Sequence, residues 1–225
     1  SLQALSVLCQ SYTEMCIESR DYQLSRKVRW GEMPIRKGGR IMIFRDLRAD
    51  EIEVRVQSIK QNSGKATGVI LLLYKNARCD MNILDETVGM ENWQREHYEC
   101  KGNLFCRVGI NTNFALPENG DRWVWKSDCG AESNMEKEKG ESSDSFKRSC
   151  TNHGIGRELY TSPTIWITPD KCTIYDTLQK DKYGKPIFAC HDRFSVESIQ
   201  IRDKRITAIA IRNDTKKVRA YVWQE

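Results

Sequence analysis

The sequence predicts an all-β fold, a two-sheet antiparallel jelly-roll-like sandwich, preceded by a helical extension over residues 1–30. Three observations carry this. Apolar residues alternate with polar ones from residue 41 onward, as at Ile52, Val54 and Val56, with Glu51, Glu53, Arg55 and Gln57 between them. Short strand-like segments recur with turn residues between them from Thr164 to the end. No strand alternates with a long amphipathic helix, which argues against a parallel α/β fold.

The elements follow in order. Residues 2–24 place Leu5, Leu8, Tyr12 and Met15 three or four apart and contain neither Gly nor Pro, so a helix is expected there. Cys9 and Cys16 would stand about two turns apart on it, roughly 10 Å, too far to bond each other. Gly38-Gly39 signals a turn, after which the period becomes two. The continuous apolar run 69–73 reads as a core strand. Further strands are expected near 82–88, 92–98, 104–110 and 122–125, then at 165–168, 172–178, 186–190, 196–202, 205–212 and 218–223. Between the two groups, residues 130–149 are charged and small with almost no apolar content, and read as an exposed mobile loop.

Composition bounds the function. The chain has 225 residues, 39% hydrophobic and 30% charged, with a formal charge of +5. Its 36 basic residues are interleaved with 31 acidic ones, which reads as a solvated surface, so no nucleic-acid partner is expected. No segment has the ~20 apolar residues of a membrane span, so no direct membrane insertion is expected. Nine spread cysteines without a Cys-x-x-Cys pair suggest disulfides and a secreted or cell-surface location; Cys129–Cys150 and Cys172–Cys190 are the expected bridges. Asn213-Asp214-Thr215 is an N-glycosylation triplet.

No nucleophile elbow, zinc-protease motif, P-loop or dinucleotide fingerprint occurs, and Cys150-x-x-His153 lacks a partner pair. No enzyme, cofactor or metal site is therefore expected. The informative stretch begins at Tyr74. On a strand, Tyr74, Asn76 and Arg78 would share a face, followed by Asp85, Trp93 and Glu96. An indole packs on the apolar face of a sugar ring, while amide, carboxylate and guanidinium groups hold its hydroxyls. Trp123, Trp125 and Trp166 alternate with polar residues and read as packing residues.

Tyr74-x-Asn76-x-Arg78, Ile83-x-Asp85 and Trp93-x-x-Glu96-x-Tyr98 resemble the galectin family, whose strands carry His-x-Asn-x-Arg, Val-x-Asn and Trp-x-x-Glu-x-Arg. The resemblance covers roughly residues 33–98 and 160–223, with Gly184-Lys185 and His191-Asp192-Arg193 in the family's order. It implies a galectin-like domain over 31–225, with a cysteine-bearing insertion at about 99–160, that binds a glycan or glycoprotein. Tyr74, Asp85 and Tyr98 replace the family's histidine, asparagine and arginine, which puts galactoside affinity in question. The alternative is an adhesion or receptor module on the same scaffold that binds a cell-surface protein through the insertion.

Overall fold

A computed structural model describes residues 35–36, 39–40, 42–114, 117–131 and 137–225. The expected helix over 1–30, with Cys9 and Cys16, lies outside them. The chain divides into two units, Ser1–Arg45 and Asp46–Glu225. In the first, β1 (Ile35–Arg36) pairs with β2 (Gly39–Arg40). All that follows concerns the second.

Antiparallel strands dominate this unit, in keeping with the all-β expectation. A six-stranded sheet runs in the order β13-β12-β11-β3-β4-β8. It is built from β3 (Glu53–Asn62), β4 (Lys65–Tyr74), β8 (Ile165–Ile167), β11 (Phe194–Arg202), β12 (Arg205–Asn213) and β13 (Val218–Gln224). Its core alternates as a pleated strand must: Val69, Leu71 and Leu73 on β4, Ile165 and Ile167 on β8, and Ile209 and Ile211 on β12 are all buried. β11 meets β3 through the single pair Ser195–Glu53, so the sheet consists of two three-stranded halves sharing one narrow seam. β9 (Tyr175–Lys180) and β10 (Pro186–Ala189) form a separate hairpin.

Local chemistry sets the tight turns. Ser63-Gly64, Lys101-Gly102 and Asp203-Lys204 each place two successive residues at positive φ (49° and 74°, 54° and 74°, 51° and 60°), as the two-residue turns that match strand twist require.

A second sheet consists of β5 (Trp93–Cys100), β6 (Asn103–Asn111) and β7 (Trp123–Cys129), of which β6 and β7 lie in the region expected to be a cysteine-bearing insertion. Two helices flank it, α1 (Ala77–Val88) and α2 (Lys137–His153). Both correct the sequence reading. The strand expected at 82–88 is helical because Cys79, Asp80, Ile83, Leu84 and Val88 recur at three and four residues and bury one stripe. The expected mobile loop at 130–149 contains most of α2, whose buried stripe is Ser145, Phe146, Ser149 and Cys150. Small polar residues fill that stripe, and their hydroxyls are satisfied: Ser145 Oγ donates to the Ser142 carbonyl (2.9 Å) and Ser149 Oγ to the Cys106 carbonyl (2.6 Å).

No disulfide joins the described cysteines to one another, contrary to expectation. Cys129 lies on the face of β7 that pairs with Phe105, while Cys150 sits on α2 against the opposite face, where Cys106 is buried. The sheet stands between the two thiols. Cys172 and Cys190 are both thiols, and Cys172 Sγ donates to the Thr168 carbonyl at 3.4 Å; burial is the largest influence on each and raises both, Cys172 to about 11.

Candidate functional site

The six residues expected to form one grip separate into different environments. β4 ends at Tyr74, and Asn76 is the N-cap of α1: its side-chain oxygen accepts from the Cys79 amide at 3.0 Å. Asn76 Nδ2 donates in turn to Glu53 Oε1 at 2.9 Å. Bonds from Asn76 and then Tyr74 hold the Glu53 carboxyl below its ordinary value. Arg78, expected on the same strand face, is an exposed residue of the first helical turn. Asp85 Oδ1 accepts from the Trp93 indole N–H at 2.6 Å, tying α1 to β5. Trp93 packs on Phe146 of α2, with ring centroids 6.1 Å apart. Glu96 pairs with Arg107 on the other face of the sheet. Tyr74 and Asn76 thus meet through Glu53, Asp85 meets Trp93, and Glu96 stands apart.

Two of the three histidines bind α2 to the sheet. His97 Nε2 lies 3.2 Å from the Ser142 carbonyl, and His153 Nε2 donates to the Val108 carbonyl at 2.9 Å. These anchors are eleven residues apart, about 17 Å along the helix. His191 lies against Tyr175, with centroids at 5.9 Å.

The sheet's faces follow from its register. Trp93, Arg95 and His97 share a face with Cys106, Val108 and Ile110, and this is the face that α2 covers. The alternate residues, Glu96, Tyr98, Phe105, Arg107, Gly109, Trp123, Trp125 and Ser127, therefore share the other face. No described element of this unit is packed across it.

This open face is aromatic and cationic. Trp123 and Trp125 stack with centroids 6.1 Å apart at 29°. Tyr98 stacks on Phe105 at 5.6 Å and 22°. The Arg107 guanidinium carbon lies 4.9 Å from the Trp125 ring centroid. Gly109 stands directly opposite Trp125, and a Cβ there would come within 2.8 Å of the indole, so the missing side chain lets the ring lie flat on the sheet. Arg107 donates twice to Glu96 Oε2, from Nε at 3.0 Å and from the terminal nitrogen at 2.6 Å. A groove of about 470 Å³ opens here, lined by Glu96, Tyr98, Arg107, Trp125, Lys126 and Ser127. Glu96 is the one sequence-proposed residue in it.

Trp123 and Trp125, expected to be packing residues, belong to this face, and Trp125 is 38% exposed. Trp166, the third of that set, is 37% exposed at the edge strand β8. Their alternation was visible in the sequence. Which side of the sheet is open depends on the position of α2, which strand periodicity does not encode.

Among the described residues no cluster of three or more His, Cys, Asp or Glu is arranged to hold a metal. The chain matches no family model, no curated protein and no solved structure.

Proposed function

We propose that this protein binds single-stranded nucleic acid on the open face of the β5–β7 sheet, as a binding rather than a catalytic module. The observation that carries the reading is the row of π faces across adjacent strands, Tyr98 and Phe105 at one end and Trp125 and Trp123 at the other, with the Arg107 guanidinium among them. Unpaired bases stack on such platforms at roughly 1–3 kcal/mol each. A sheet face suits single strands because the bases of a duplex already stack on each other. Charge interleaving spoke against a nucleic-acid partner in the sequence. A stacking platform, however, draws much of its affinity from ring faces, and a chain of net charge +5 carries no global repulsion toward a phosphate backbone.

The test is fluorescence anisotropy with labelled single-stranded and duplex oligonucleotides. Single strands are expected to bind in preference to duplex, and Trp125→Ala to weaken binding roughly 5- to 150-fold at unchanged fold. Equal affinity for duplex, or an unaffected Trp125→Ala, would overturn the proposal.

A second reading is glycan recognition on a galectin-like jelly-roll sandwich at the cell surface. The Glu96 carboxylate beside Trp125 supports it, since a sugar takes an aromatic plane with a flanking acceptor. In that case the same Trp125→Ala variant loses a glycan from an array while oligonucleotides fail to bind the parent protein.

A further inference from the structure

The carboxylate in the groove is only half used. Both bonds from Arg107 fall on Glu96 Oε2, and no described residue donates to Oε1. The two side chains stay accessible, at 53% exposure for Glu96 and 46% for Arg107. A carboxylate oxygen left as an acceptor beside a stacking indole does nothing for a phosphate. It is well matched to an N–H on a base edge. Cytosine, adenine and guanine each present an exocyclic amino group. Thymine and uracil offer a single N–H flanked by two carbonyls, whose oxygens a carboxylate repels.

We infer that Glu96 selects bases carrying an exocyclic amino group, and that thymine and uracil are the groove's poorest ligands. This rests on the stacking role proposed above. The neutralised Arg107 adds to the same end: held by Glu96 and laid toward Trp125, it serves as a planar stacking surface more than as a phosphate clamp.

The test compares two pyrimidine homopolymers of about fifteen nucleotides, oligo-dC and oligo-dT, in anisotropy titrations against the full chain. Pyrimidines keep stacking area similar, so the difference reads the edge contact. Oligo-dC is expected to bind roughly 5- to 10-fold tighter, the share of a bidentate base contact left to one accessible oxygen. Glu96→Gln should bring that ratio close to one, because an amide both donates and accepts. It should also steepen the salt dependence for both strands, because it unmasks the Arg107 charge. A merely structural Glu96 would change neither the ratio nor the salt slope. Should oligo-dT bind as well as oligo-dC while Trp125→Ala still abolishes both, stacking stands and base selection is refuted. Should Glu96→Gln leave the preference intact, another group makes the selection and the assignment to Glu96 is refuted. If neither strand binds the parent protein, the stacking role and the base selection fall together.

Discussion

Replacing Lys75 by methionine removes one half of an ion pair that the fold has sealed from water. Lys75 is 5% exposed and Asp80 wholly buried; the ammonium contacts Asp80 Oδ1, while Oδ2 has no hydrogen-bond partner among the described residues. The methionine keeps most of the apolar stem, so little cavity forms and the loss is chiefly electrostatic. A buried carboxylate left without its cation costs about 3–5 kcal/mol, and the ammonium abandoned in Asp80→Ala costs about the same. The double variant abandons neither charge and should fall within about 1–2 kcal/mol of the parent, far less than the sum of the singles. Urea melts followed by circular dichroism at pH 7 supply the three free energies. If Lys75→Met costs under about 1 kcal/mol, or if the double variant costs the full sum, the pair is not sealed as described and the reasoning fails.

Three further expectations follow from the same packing. Burial pushes the Asp80 carboxyl up to about 6, against the pull of Lys75; an unfolded aspartate titrates near 3.9. The folded state therefore holds more protons than the unfolded state between about pH 4 and 6, so this group's contribution is full below pH 4 and falls as pH rises to 6. Urea midpoints across that window should show the fall in the parent and lose it in Asp80→Asn. Phe146 is fully buried on α2, with Trp93 at 6.1 Å and the Arg95 guanidinium carbon at 4.9 Å from its ring centroid. Phe146→Ala should cost about 3–5 kcal/mol in the same melts, whereas in a mobile loop it would cost almost nothing. Gly109→Val would set a side chain within 2.8 Å of the Trp125 ring and lift the indole off the sheet. Oligonucleotide affinity should then fall about tenfold or more, as one stacked base is lost, while circular dichroism still reports the folded sheet.

The alternation at Ile52, Val54 and Val56 was readable because Arg55 and Gln57 between them are exposed, whereas β4 was legible as an unbroken apolar run, of which Val69, Leu71 and Leu73 are buried. The helices were lost for two different reasons. In α1, Cys79, Ile83 and Leu84 carry helical spacing, but the β-branched Ile83, Thr87 and Val88 within 82–88 suit a strand equally well. In α2, the buried stripe is mostly serine and cysteine, so hydropathy alone gives no amphipathic signal; its stability comes from bonds such as Ser149 to Cys106. The candidate site failed in the sequence for a non-local reason. Trp123 and Trp125 face outward because α2, arriving after β7, covers the other side. Of the six expected residues Glu96 alone lies on this face: Trp93 is on the sheet's other side, Tyr74 ends β4, and Asn76, Arg78 and Asp85 belong to the N-cap and body of α1.

The seam between β11 and β3 has a consequence for how the molecule breathes. Within the β3–β4 and β11–β12 hairpins each strand is bonded along most of its length, but between them the ladder is reduced to Ser195 and Glu53. Amide protons along the outer edges of β3 and β11 have few partners across that seam. They should exchange with solvent by subglobal opening, well before the amides inside each hairpin do. The β11–β12–β13 meander is also contiguous in sequence, so it can detach and re-dock as one cooperative foldon without disturbing β3 and β4. Native-state fluctuations of this sheet should thus divide it along a line that its secondary structure alone does not reveal.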